Sequence, residues 1–315
     1  MIDQTLIGRF GPDYEMPIER GKLREFANAT YAPWPEFIDD HRAVIPPTYL
    51  CSAGVFWGYT LERPRGTHLE ALDHDLSVSL HAEESYIFHG EPPRAGDVLT
   101  ARAGLESFTE KHGSRGGKLV FLTLLTEFRN QAGDLIAEAR SVSVTSDAQG
   151  NIATSAPDYE PIDIGREPLD PFAAIERADV DAITQGASPG RIDMAPLSIR
   201  EVVRYAAAGG EDDPLHYDLV HAKAQGFPGM FGLGMHQAGG LGSYATRWLG
   251  AKRVRSMRIR FPNMFFVGEE LSYEGKVSSI EMTDDHRMAT LDLTCTRRSD
   301  DAPIVEAIMQ LDLGG

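Results

Sequence analysis

The chain of 315 residues is 42% hydrophobic and 24% charged, the composition of a globular protein long enough for two domains of ordinary size. Its formal net charge of -17 repels nucleic acid and anionic lipid, which excludes a general role in binding either. Cys51 and Cys295 are far apart, the N-terminus has neither a basic region nor an apolar run, and no apolar stretch approaches the roughly 18 to 20 residues needed to span a bilayer, so a soluble protein of a reducing, cytoplasmic compartment is expected.

From Gly21 to Ala29, Leu23, Phe26 and Ala27 stand at helical spacing, and Pro33 and Pro35 cannot continue a helix, which predicts a short helix and then a loop. TYLCSAGVFWGYTL (48–61) opens on a threonine cap and is apolar on nearly all sides, as in a buried helix, with Phe56, Trp57 and Tyr59 read as core. Four strand-like runs follow at 81–89, 98–105, 118–128 and 135–145, separated by turn-rich pieces, and read as an antiparallel meander. His74, His81 and His89, with Glu83 and Glu84 nearby, read as strand-surface residues. Residues 147–190 are rich in Pro, Asp, Ser and Gly with one weak helical patch near PFAAIERADVDAI, which places a domain boundary near 160 and gives domains 1–160 and 161–315.

Past that boundary Ser198 and Glu201 have capping-box spacing, Ile199, Val202, Val203 and Ala206 form one apolar face, and Gly209 and Gly210 stop the helix. Strands are expected at 256–261, 270–280, 289–296 and 304–313, the same order of elements a second time. A duplication accounts for this: REFANAT (24–30) lines up with VRYAAAG (203–209), and AGDVL (95–99) with VGEEL (267–271). Carried forward without gaps, the first alignment sets Ala32 opposite Glu211 and Phe37 opposite His216, so one polar set per chain is expected.

That set lies in YAAAGGEDDPLHYDLVHAKAQGFPGMFGLGMHQAGGLGSY (205–244). Glu211, Asp212, Asp213 and His216 put carboxylates and an imidazole within six residues, the groups that acid/base chemistry on water requires. Gly232 and Gly234 open a helix whose free N–H groups would point into the same space. A metal site is not expected, because no second histidine or cysteine stands at ligand spacing. Gly234, Ala238, Gly242 and Ala245 form a small-residue stripe along that helix, and His236 reads as a packing histidine. The basic run after it includes Arg258 and Arg260, which alternate with Met257, Ile259 and Phe261 as the polar face of a strand would, and which are also candidate phosphate-binding residues.

YAAAGGEDDPLHYD followed by GFPGMFGLGM resembles the signature of the MaoC-like dehydratases and (R)-specific enoyl-CoA hydratases, and the first half resembles the degenerate dehydratase half of their double-hotdog members. The resemblance implies an α+β double hotdog, each half a long central helix wrapped by a curved antiparallel sheet. It also implies a 2-enoyl thioester substrate on CoA or an acyl carrier protein, no cofactor, and a homodimer or higher homo-oligomer. The family's histidine falls on His216, its proline on Pro214 and the glycine that bonds the thioester carbonyl on Gly234. Its catalytic aspartate falls on Glu211, with Asp212 the alternative carboxylate, and its asparagine on Asp213. A hotdog thioesterase and a catalytically inactive acyl-CoA-binding subunit are the rival readings.

Overall fold

In the computed structural model, which describes residues 3–58, 79–112, 117–146, 155–158, 170–283 and 286–314, the strands form a single ten-stranded sheet. The first half supplies β1 (Tyr14–Pro17), β2 (Leu80–Phe88), β3 (Val98–His112), β4 (Lys118–Arg129) and β5 (Leu135–Ser146). The second supplies β6 (Ile192–Asp193), β7 (Val254–Arg260), β8 (Leu271–Thr283), β9 (His286–Arg297) and β10 (Ala302–Asp312). All named pairs are antiparallel, in the order β1-β3-β4-β5-β2-β7-β10-β9-β8-β6, so the same five-strand pattern is met from either edge. β1 and β6 were not expected; four and two residues are too short for alternation to show.

The duplication extends to single hydrogen bonds. Gly96 donates its N–H to the Ile18 carbonyl at 2.9 Å, and Gly268 donates to the Leu197 carbonyl at 2.8 Å. Both glycines have positive φ, +88° and +95°, where a side chain would be strained. Asp97 accepts from the Arg94 N–H at 2.8 Å, and Glu269 accepts from the Phe266 N–H at 3.0 Å.

The halves join where β2 pairs with β7. Alternation turns Glu84, Tyr86, Met257 and Ile259 to the buried face, while Glu83, Arg258 and Arg260 stand outside. Helix α1 (Arg20–Ala29) packs against α4 (Ile199–Gly209), with α2 (Pro35–Ile38) and α3 (Ala53–Phe56) between them in the chain. The expected capping box of α4 is present: the Ser198 side chain accepts from the Glu201 N–H, and Glu201 Oε2 accepts from the Ser198 N–H at 2.9 Å. Gly210, at φ +82°, ends that helix.

The buried helix expected over 48–61 is a 3₁₀ turn, Tyr49–Ser52, that runs into α3; residues 59–78, including Tyr59 and His74, lie outside the described residues, as does a boundary at 160. Phe56 is not core: it is 41% exposed, with the Lys22 ammonium 3.6 Å from its ring centre. The helical patch near 171–183 is reduced to a turn and the 3₁₀ turn Val180–Ala182.

The central helix of the second half is α6 (Gly234–Leu249), which follows the short α5 (Leu219–Ala224) and lies on β8, β9 and β10. Its other side meets the first half. A Cβ on Gly239 would stand 2.4 Å from the Thr30 methyl, Gly242 faces Pro47, and the Ser243 hydroxyl donates to the Thr30 carbonyl at 2.5 Å. Glycine at these positions lets the helix lie between sheet and first half at this distance. Among the described residues no helix is long and apolar enough to cross a membrane.

Candidate active site

After Gly210 the chain leaves α4 and turns sharply. Asp213 Oδ1 accepts from the Leu215 N–H at 2.9 Å, and Pro214 opens the 3₁₀ turn Pro214–His216. Asp213 therefore acts here as a cap. The turn carries His216 to a site where it is 9% exposed and its Nδ1 lies 2.8 Å from the Phe231 carbonyl. A carbonyl only accepts, so Nδ1 carries the proton and the Nε2 lone pair is the one left for chemistry. The ring stacks on Phe231 at 5.6 Å and 21°, and the Phe231 N–H donates to the Leu215 carbonyl at 3.0 Å. These contacts bind the histidine loop to the segment that leads into α6.

Helix α6 begins at Gly234 with Leu233 as its N-cap and no side-chain capping bond, which leaves the N–H groups of its first turn available at the positive end of the helix dipole. A Cβ on Gly234 would stand 2.8 Å from the Phe261 ring, and one on Gly232 2.3 Å from the Phe265 ring. Only glycine allows the backbone this close to the aromatic wall.

Both parts face a cleft of ≈ 1460 Å³, lined by Glu211, Asp212, Asp213, His216, Gly234 and Arg260 from the second half and by Cys51, Val55, His81 and Glu84 from the first. Glu211 and Asp212 are exposed, and Glu211 Oε1 accepts from the Asp213 N–H at 3.4 Å. Asp212 is tied through its backbone, its carbonyl accepting from the Tyr217 hydroxyl at 2.8 Å. Cys51 Sγ lies 3.7 Å from the Tyr205 hydroxyl. Burial pushes the Cys51 thiol up to about 12 and the Tyr205 hydroxyl well above its ordinary value, and the charges of Glu84 and Glu211 add to both.

The structure thus brings Glu211, Asp212, Asp213, His216 and Gly234 to one cleft. It does not bring Arg258 there. That residue lies on the outer face, donating to Glu83 at 3.0 Å, while Arg260 shares Glu83 at 3.6 Å and reaches the rim where β7 ends. The first-half counterparts, Ala32 and Phe37, are buried at 0% and 1% exposure.

His236 is a packing residue, held between Tyr31 and Tyr205 with ring centres 5.0 and 5.1 Å away; its Nδ1 accepts from Gln237 Nε2 at 3.1 Å. Burial lowers its pKa to about 3. Among the described residues no group of three or more His, Cys, Asp or Glu side chains has the geometry to hold a metal ion.

Glu84 corrects its surface reading. It is 4% exposed and pairs with His81 Nε2 at 3.0 Å. The signal was present in HAEESYIFH, since Glu84 shares its alternation with Tyr86 and Phe88. Phe231, Phe261 and Cys51 were also missed, because a carbonyl partner or an aromatic wall leaves no pattern in the sequence.

The mirrored five-strand halves and the central helix on the second define a double hotdog. Residues 182–296 match the model of the MaoC like domain, and residues 5–139 match the FAS1-like, dehydratase domain region. The chain thus carries a MaoC like domain over 182–296 and a FAS1-like dehydratase domain region over 5–139, in a double hotdog fold. A solved MaoC-like dehydratase is 20% identical with a TM-score of 0.74 over 98% of both chains. A MaoC-like dehydratase from Phytophthora capsici is 17% identical, TM-score 0.66, over 97% of both. A Mycobacterium tuberculosis protein described as having a double hotdog fold is 14% identical, TM-score 0.59, over 96% of both. No curated protein sequence matches the chain.

Proposed function

We propose that this protein is a hydro-lyase that interconverts a 2-enoyl thioester and the (R)-3-hydroxyacyl thioester, with CoA or an acyl carrier protein as the thiol. The observation that carries this is His216: its Nδ1 is held by the Phe231 carbonyl, which leaves Nε2 as the base in a cleft shared with the uncapped start of α6. In the hydration direction Nε2 removes a proton from water as the water oxygen bonds to C3. The displaced electron pair moves onto the thioester oxygen, which the Gly234 N–H and the helix dipole stabilise. C2 then takes a proton from Glu211, and the proton on His216 returns to Glu211 through solvent. The role goes to Glu211 rather than Asp212 because the Glu211 carboxylate accepts from the Asp213 N–H on the histidine loop, whereas Asp212 is tied through its backbone carbonyl. Of the two arginines, only Arg260 stands where it can meet a thiol-carrier phosphate.

Incubation with crotonyl-CoA tests the reading. Loss of the enoyl absorbance without release of free thiol is expected; thiol release would instead identify a thioesterase. No turnover of any enoyl-CoA, with acyl-CoA binding unchanged in His216→Ala, would identify an inactive binding subunit.

A further inference from the structure

The wall that the first half supplies to the cleft of His216 is polar. Glu84 is 4% exposed, turned to the buried face of β2, and lines the cleft together with Cys51, Tyr205 and Ser141. His81 Nε2 lies 3.0 Å from Glu84 Oε2 and 3.3 Å from Ser141 Oγ. The His81 ring packs on Phe261 at 4.9 Å, and Phe261 covers Gly234, so this polar group sits one aromatic ring away from the position assigned to the thioester carbonyl. A carboxylate this buried is costly, and an alkyl chain laid against it would remove its remaining hydration without return.

The charge of the cleft narrows what could satisfy it. Among the described lining residues, Glu83, Glu84, Glu211, Asp212 and Asp213 are acidic and Arg260 is the only lysine or arginine, so a chain ending in a carboxylate is repelled. The neighbouring hydroxyls of Tyr205 and Ser141 and the thiol of Cys51 both donate and accept. The complement to that set is a neutral group that also does both. We infer that the Glu84 wall is a specificity subsite for an enoyl thioester whose acyl chain carries a hydroxyl, the hydroxyl donating to Glu84. This rests on the hydratase reading for the reaction but not for the binding.

The test compares trans-2-hexenoyl-CoA with its 4-, 5- and 6-hydroxy and its 6-amino derivatives in kcat/KM, on the wild-type protein and on Glu84→Leu and Tyr205→Phe. In parallel, equilibrium binding is measured for the saturated hexanoyl-CoA and the same three hydroxy forms. At least one hydroxy chain is expected to be preferred by about tenfold or more in both measurements, because a site built to bond a hydroxyl discriminates against the analogue lacking it. Glu84→Leu, which can neither donate nor accept, is expected to bring that ratio down toward one, which separates a ligand contact from a structural ion pair that would lower all substrates alike. Preference for the unsubstituted chain, preference for a 6-amino chain over the hydroxy series, or an unchanged ratio in Glu84→Leu would each overturn the inference. If no enoyl-CoA is turned over but the hydroxy chain is bound preferentially, the subsite stands and the hydratase reading falls.

Discussion

His216 and His236 lie twenty residues apart in the chain and differ in what surrounds each ring. His216 keeps one nitrogen free at the cleft, and His216→Ala is expected to lower turnover by at least about a hundredfold, the scale of a positioned acid/base group. Glu211→Gln should show a comparable loss and Asp212→Asn little; the reverse result in steady-state kinetics would move the carboxylate role to Asp212. His236 is enclosed and stays neutral when folded, with its pKa lowered from 6.5 to about 3. The unfolded chain binds a proton at this position below the unfolded value and the folded protein does not. The stabilisation is therefore fully present above about pH 6.5 and is lost as the pH falls toward 3. Between pH 6 and 5, above the ordinary carboxylate range, the unfolding free energy from denaturant titration should fall with a slope approaching about 1.4 kcal/mol per pH unit, and the slope should flatten in His236→Gln. At this scale the sequence showed the groups that cluster within 211–234. Glu84 was misread because a charged residue on a strand was taken as exposed, although its alternation with Tyr86 and Phe88 put it on the buried face.

At the scale of elements, α4 and α6 hold the site from its two sides. Ser198→Ala removes the hydroxyl that accepts from the Glu201 N–H, leaves the backbone N–H of residue 198 still donating to Glu201, and is expected to cost about 1 kcal/mol in chemical denaturation. Gly234→Ala sets a methyl 2.8 Å from the Phe261 ring, so α6 or the ring must shift at the point where the proposed reaction needs the Gly234 N–H. Its kcat should fall by about a hundredfold, the effect of roughly 1 Å of misplacement, with a smaller change in melting temperature. A kcat equal to wild type would remove Gly234 from the oxyanion role. The long strands and both short helices α1 and α4 were legible because their apolar periods run for several turns or pairs. The 3₁₀ turn at Tyr49–Ser52 was not, since an apolar run has the same appearance whether it coils as an α-helix or a tighter turn.

For the whole molecule, the duplication was legible from two short alignments, of seven and five residues, and from the repeated order of elements, but the way the copies combine was not. One continuous sheet through β2 and β7, with α6 packed between its own strands and Thr30 and Pro47 of the first half, makes each copy part of the other's core. Far-UV circular dichroism and tryptophan fluorescence should therefore report one coincident unfolding transition, and two separate midpoints would show that the halves are independent. The same union has a chemical consequence. The first copy filled its own site with Ala32 and Phe37 and instead lends Cys51 and Glu84 to the cleft of the second. The most direct measurement is the fate of a 2-enoyl-CoA mixed with the purified protein, followed at once by enoyl absorbance and by free thiol. Loss of absorbance with no thiol, abolished in His216→Ala, is the expected result; thiol release, or absorbance loss that survives His216→Ala, would contradict it.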